Sequence, residues 1–383
     1  MQKTYFIYYP LTEGSIEEEW KQCREQIENT QKSGYTPVKL NIFTDLPDFE
    51  TFLSVRQFIV DSVSDVFGSK CPALSITVQP PEKSWKVAVE AAFVETGLQE
   101  VTGKSYNSIP YIVLVSESGK EILAGGVSSN SYPDDTRKAA EKAFDLMVAI
   151  LDEEQMSLNH IVRQWNYVGD ILKIKDGYQN YQIFNEVRSE YYHRYRNIKG
   201  YPAATGIGMK HGGVILDFCA LRPDGSAEIK SVNNPNQVNA YDYGQQVLVG
   251  GSGAGKTVKH PPQFERGLLL INNQDTTLFI SGTAAIIGQE TIGKNDTEKQ
   301  TIVTIENIKK LSDTERISQL MSAPVLFNEK YSLLRIYIKR QNDFNLVRQI
   351  CSEHFPQIPA IYLEADICRN DLLVEIEAEV KLK

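Results

Sequence analysis

A chain of 383 residues, 42% hydrophobic and 23% charged, has the composition of an ordinary globular protein with two or three domains. Its net charge of −9, with no basic block anywhere, argues against a nucleic-acid or anionic-membrane partner. The five cysteines (Cys23, Cys71, Cys219, Cys351 and Cys368) lack CxxC spacing, no stretch approaches the roughly 18 apolar residues of a membrane span, and Tyr5–Tyr9 is too short for a secretory leader, so a cytoplasmic protein without a cysteine metal site is expected.

The chain opens with a strand pattern over Thr4–Tyr9. Ser15-Ile16-Glu17-Glu18 then starts a helix to Gln31 with the Ser-x-x-Glu signature of a capping box. A strand at Val38–Phe43, the turn Asp45-Leu46-Pro47-Asp48 and a helix over Phe49–Val66 follow. Next, Tyr111–Val115 and Glu121–Ala124 flank Ser116–Lys120 as a hairpin. Behind it come a helix over Asp134–Leu151, a strand at Ile161–Val168 and a helix around Tyr181–Tyr195. The order then recurs: hairpin strands Gly267–Asn272 and Thr277–Gly282, helix Asp296–Leu311, strand Leu333–Ile338, helix Phe344–His354.

Each series closes in the same way. Pro72-Ala73, Pro202-Ala203 and Pro359-Ala360 each open a β-prone segment, then a polar turn, then an apolar strand carrying an acid. The acids, Glu90, Asp217 and Glu375, lie eighteen, fifteen and sixteen residues beyond their prolines. Such self-similarity marks a repeat. The expected fold is α+β, with units at 1–100, 105–228 and 229–383, the first lacking most of its hairpin.

Between the second and third units, Arg222–Arg266 reads as a long irregular connection of the kind that is functional or disordered, and Tyr241 and Tyr243 favour function. It contains Gly250-Gly251-Ser252-Gly253-Ala254-Gly255-Lys256-Thr257, a complete match to the phosphate-binding string G-x-x-x-x-G-K-[ST]. The helix that such a loop needs would run into Pro261-Pro262, and no α/β alternation follows, so a flexible glycine-rich loop is the preferred reading and nucleotide hydrolysis the alternative.

The repeated order of hairpin, helix, strand, helix, Pro-Ala strand and acidic strand resembles the RidA-like (YjgF) superfamily. Asp296-Thr297-Glu298-Lys299-Gln300 and Leu372–Ala378 in the third unit carry the likeness best. Ordinary members are single-module trimers with sites between subunits, so three tandem copies imply a monomeric intramolecular pseudo-trimer. The arginine with which the family's deaminases hold a substrate carboxylate follows Pro-Ala directly; Leu74, Ala204 and Ile361 stand there instead.

A narrower resemblance is to the chorismatase branch. It rests on Arg163 with Trp165-Asn166-Tyr167, Phe184-Asn185-Glu186-Val187-Arg188, Pro202–Gly208, Ser281-Gly282-Thr283-Ala284, and Cys368-Arg369 with Glu375 seven residues on. It implies a lyase or hydrolase that protonates the enolpyruvyl group of chorismate and needs no cofactor and no metal. Glu375, between Val374 and Ile376, is the expected general acid, since burial would keep its carboxyl protonated. Cys368 and Gly282 match the subtype that forms 3-hydroxybenzoate rather than a dihydrodiol. Arg188, and Arg348 on the corresponding helix of the third unit, are the expected carboxylate clamps, and Tyr243 is placed to stack on the ring. Glu90 and Asp217 are read as relics of Glu375. A divergent imine deaminase and a non-catalytic small-molecule-binding protein remain the alternatives.

Overall fold

The structure, a computed structural model, describes residues 2–82, 85–116, 119–225, 227–249, 258–272, 276–320 and 328–382. The string Gly250–Thr257 therefore lies outside the described residues.

Local chemistry sets the element boundaries. After β1 (Thr4–Tyr8), Ser15 accepts from the Glu18 amide while Glu18 reaches back, the reciprocal cap that starts α1 (Ile16–Lys32). β2 (Tyr35–Thr44) leads to Asp48, which caps α2 (Phe49–Phe67), and β3 (Ala73–Thr77) and β4 (Val87–Glu95) complete the first sheet. The second series is β5 (Glu100–Tyr106), β6 (Ile109–Ser116), β7 (Gly119–Val127), α3 (Thr136–Glu153) and β8 (Ile161–Gly169). The short hairpin β9 (Ile174–Lys175) and β10 (Tyr178–Gln179), then α4 (Asn180–Tyr195), β11 (Ala203–Met209) and β12 (Val214–Pro223), close it.

The third series opens with β13 (Glu228–Val232), β14 (Gly267–Ile271), β15 (Thr276–Ala284) and the two-residue strands β16 (Ile286–Ile287) and β17 (Glu290–Thr291). It continues through α5 (Thr297–Leu311), α6 (Thr314–Leu320), β18 (Glu329–Ile338), α7 (Phe344–His354), β19 (Ala360–Glu364) and β20 (Val374–Leu382). Part of the stretch expected to be irregular is thus ordered. β12 runs to Pro223 and β13 pairs with β14, and irregular chain begins only after Val232. β13's sequence, Glu-Ile-Lys-Ser-Val, has weak alternation that only the β14 edge makes into a strand.

The fold is α+β, with three principal sheets. Their orders are β1-β4-β2-β3, β11-β8-β12-β7-β6-β5 and β13-β14-β15-β20-β18-β19. In each, the Pro-Ala strand is parallel to the strand that precedes the second long helix (β3 to β2, β11 to β8, β19 to β18), and the acidic closing strand lies antiparallel beside that pair. Helices cover one face of every sheet through separate apolar cores, with Trp20 and Phe52 in the first, Phe144 and Phe184 in the second, and Ile305 and Val347 in the third. The opposite faces meet in a shared cluster that includes Val38, Leu114, Cys219 and Phe279.

Where the sheets abut, backbone and small residues make the contact. A Cβ on Gly126 of β7 would stand 2.6 Å from the Leu74 carbonyl of β3, so only glycine allows that approach. The Ala204 amide of β11 donates to Ser281 Oγ of β15 at 2.8 Å, and the Glu364 amide of β19 donates to the Pro80 carbonyl at 2.7 Å.

At the centre each sheet gives a cation to the carboxylate of another: Lys39 to Asp217 (2.9 Å), Arg163 to Glu377 (2.9 Å) and Arg335 to Glu90 (2.7 Å). All six side chains are buried. Glu90 and Asp217 are therefore not relics of Glu375. Asp217 faces the bulge at Gly125-Gly126, and Glu377 faces the matching bulge at Ser281-Gly282. Glu377 is thus their counterpart; Glu375, two residues earlier, corresponds to Ala88 and Ile215. Unequal turns between each proline and its acid hid this one-pleat offset.

Candidate active site

Between the second and third sheets lies a small cleft of about 50 Å³. β11 supplies Ala204 and Gly206, β15 Gly282 and Ala284, and β20 Glu375. α4 supplies Tyr181 and Asn185, while Tyr243, Phe264 and Arg266 come from the connection ahead of β14.

Glu375 is 4% exposed, and no described residue hydrogen-bonds its carboxyl. Burial, and then the charge of Glu377 on the same strand face, push its pKa up to about 8, against a weaker pull from Arg163 and Arg266. It is therefore a carboxylic acid at neutral pH. Gly282 makes room for it: a Cβ there would overlap Glu375 Oε1. Cys368 lines the same cleft, and burial followed by the Glu375 charge raises its thiol to about 12, so it is a neutral, compact wall group rather than a nucleophile.

Facing the acid is a cationic wall with donors to spare. Arg266, 3% exposed, donates through Nη2 to Tyr243 Oη (2.6 Å) and the Val238 carbonyl (2.7 Å), leaving Nε without a partner. Arg369 lies over the Tyr243 ring at 5.0 Å, gives Nη1 to the Gln289 carbonyl, and leaves Nη2 unpartnered. Behind Asn185, the buried Arg188 donates to Asn185 Oδ1 at 2.6 Å and packs on Phe184, with its own Nε and Asn185 Nδ2 unpartnered. Buried N–H groups without acceptors are costly, and an anionic ligand would satisfy them.

The structure thus brings together Glu375, Cys368, Gly282 and Tyr243, with Arg188 one layer behind. It does not bring Arg348. That side chain, on α7, forms a bidentate pair with Glu82 (2.8 and 2.6 Å) and covers Tyr362, away from this cleft. Repeat position gave Arg348 the look of a counterpart to Arg188, but its groove already holds an internal carboxylate. Arg266 escaped sequence reading although it ends the long connection directly before a strand. Arg369 and Asn185 lie inside the Cys368-Arg369 and Phe184–Arg188 motifs, whose sequences alone do not mark them as cleft residues. A second cavity of similar size, about 40 Å³, lies at the central ion pairs; its charges already have one another as partners.

The chain matches the family model "Chorismatase FkbO/Hyg5-like, N-terminal" over residues 111–220. It is 33% identical over 261 residues to a 3-hydroxybenzoate synthase of Streptomyces hygroscopicus, spanning 65% of this chain and 70% of that protein. It is also 33% identical over 227 residues to a chorismatase of Streptomyces rapamycinicus, spanning 57% of this chain and 64% of that one. A chorismatase crystal structure shares the fold over 99% of both chains, with a TM-score of 0.65 at 21% identity. The chain belongs to the chorismatase family.

Proposed function

We propose that this protein converts chorismate to pyruvate and 3-hydroxybenzoate, with Glu375 as the general acid. The observation that carries the reading is a buried acid, protonated at neutral pH, facing unpartnered guanidinium groups in one cleft. Glu375 gives its proton to the enolpyruvyl methylene carbon, whose π electrons form the new C–H bond and leave an oxocarbenium ion. Arg266, Arg369 and Arg188 supply charge for the two substrate carboxylates, and Tyr243 an aromatic face. With water kept out beside Cys368 and Gly282, the bond between the ring carbon and the ether oxygen breaks and pyruvate leaves with that oxygen, while the hydroxyl oxygen on the adjacent ring carbon bonds to the vacated carbon and then gives up its original C–O bond. The ring loses a proton on aromatising, which restores Glu375, so no water is consumed. Were water admitted, the same cation would be hydrolysed to pyruvate and a dihydrodiol.

Three RidA-like modules, at 1–100, 105–228 and 229–383, closing as a monomeric pseudo-trimer would account for the cyclic ion pairs and the common strand order. One cleft works because Ala88 and Ile215 replace the acid elsewhere. No helix among the described residues is long and apolar enough to cross a membrane, and the five free thiols suit the cytoplasm. The deaminase reading is disfavoured by Ala204 in the cleft wall where its carboxylate-binding arginine would stand. A purely binding protein would hold chorismate without turnover. Incubating the purified protein with chorismate and following pyruvate and aromatic products decides. Pyruvate with 3-hydroxybenzoate, lost in Glu375→Gln, is expected; binding without pyruvate would refute the reading. A dihydrodiol product would keep the acid and remove the subtype assignment.

A further inference from the structure

Thr205 is 1% exposed on β11, and its hydroxyl is saturated. Oγ1 accepts from Arg163 Nη2 at 2.7 Å and from the Gly282 amide at 3.0 Å. Its single hydrogen goes to Glu377 Oε2. A hydroxyl has two acceptor sites and one donor, so all three are used and its orientation is fixed. Glu377 is likewise surrounded by donors: Thr205, Trp165 Nε1 (2.7 Å), Arg163 (2.9 Å) and Arg335 (3.3 Å). Donors on that scale keep it ionised, and its pKa is lowered despite burial.

Two buried glutamates on one strand face thus differ in state, and one hydroxyl touches the surroundings of both. Toward the centre Thr205 binds the charged Glu377. Toward the cleft it anchors the backbone of Gly282, the residue against which the Glu375 carboxyl rests. We propose that Thr205 is a positioning residue for the general acid: it pins the Ser281-Gly282 bulge against Glu375 and reserves the negative charge for Glu377, so that Glu375 is the one of the pair that holds the proton. The groups facing Glu375 are Glu377 from its own strand, Arg163 from β8, Arg266 from the connection before β14, and Cys368 and Tyr181 across the cleft. Of these, Glu377 and Arg163 both bond to Thr205.

The inference rests on the proposed role of Glu375, so its test has an arm independent of turnover. Thr205→Val keeps the shape of the side chain and deletes all three hydrogen bonds; Thr205→Ser keeps them. With chorismate, Thr205→Val should lower kcat on the order of tenfold to a hundredfold while KM changes by less than about threefold. Its alkaline limb should move to lower pH, because a less firmly held Glu377 charge raises Glu375 less. Thr205→Ser should stay within about threefold of wild type in kcat.

The independent arm follows the carboxylic-acid C=O stretch of Glu375 against pH, as the infrared difference between each protein and its own Glu375→Gln variant. The stretch should titrate at lower pH in Thr205→Val than in wild type. Equal titration curves, or a Thr205→Val loss confined to KM, would overturn the inference. A wild type that releases no pyruvate from chorismate would remove the functional reading alone, and the infrared comparison would still decide on Thr205. If Thr205→Val does not fold, Thr205→Cys replaces it with Thr205→Ser as the control that keeps the hydrogen bonds, and equal titration in the two overturns the inference.

Discussion

Gly282→Ala is the sharpest test of where the acid sits. The Gly282 backbone needs no positive φ, so alanine brings no conformational strain. Its Cβ would overlap Glu375 Oε1 and stand 3.0 Å from both Glu375 Cδ and Thr205 Cγ2, where ordinary contact begins at 3.4 Å. The carboxyl is the far end of a flexible side chain and can yield, so the cost in folding stability should be about 1–3 kcal/mol. Clearing the oxygen, however, requires the carboxyl to retreat by roughly 1 Å, and displacement on that scale costs about a hundredfold in rate. The expected result in a coupled pyruvate assay is a hundredfold lower kcat in a protein that still unfolds cooperatively. Adding Glu375→Asp, which shortens the acid by one methylene, should recover part of the loss although Glu375→Asp alone lowers activity. A Gly282→Ala protein with kcat within about threefold of wild type would refute the placement of Glu375 as the proton donor.

The pH dependence has a definite sign. Because the protonated form of Glu375 is the active one, turnover should fall as pH rises through about 8. Its folded pKa lies above the ordinary 4.5, so the cost of burying it is absent below pH 4.5, grows as pH rises, and is complete above about pH 8. Glu375→Gln should therefore be more stable than wild type by roughly 3 kcal/mol at pH 7 in urea unfolding, with the difference vanishing near pH 4; equal gains at both would refute the assignment. Glu90→Gln takes from the fully buried Arg335 its bidentate carboxylate partner, leaving it only Glu377 at 3.3 Å, and should cost about 3 kcal/mol by the same method. Arg348→Ala should leave kcat/KM within about twofold of wild type and cost no more than about 1 kcal/mol, since its pair with Glu82 is a third exposed.

The architecture was legible because its signals are local. The Ser15 capping box, the Pro-Ala strand entries and the alternating hairpins are written in neighbouring residues, and each appears where its pattern stands. Glu375, Cys368 and Gly282 were also within reach, since their motifs are short and carry a family resemblance. What escaped is set by contacts between distant segments. The role of Arg266 depends on Tyr243, twenty-three residues earlier, and on the cleft wall it joins. Arg348 resembled a ligand because nothing in its own helix announces Glu82, 266 residues away. The confusion of Glu375 with Glu377 is of the same kind. Both stand on one apolar strand, and only the bulge on β15 shows which of them faces Asp217's counterpart position.

The energetics also explain why one acid of this kind is present rather than three. Glu90, Asp217 and Glu377 can recur because each meets a cation from another sheet, and the three pairs offset one another's desolvation. Glu375 has no such partner, so every copy would cost a few kcal/mol at neutral pH against a total stability of only about 5–15 kcal/mol. Three identical subunits would incur that cost three times. Repeats joined in one chain are free to differ, and the other two grooves are closed in different ways. Phe52, Leu74, Met209 and Ile215 fill the one between the first and second sheets with apolar packing. Arg348, Glu82 and Tyr362 occupy the one between the third and first. The remaining groove keeps its volume, its unpartnered donors and its strained acid, and the stability lost there is supported by packing and pairing in the other two.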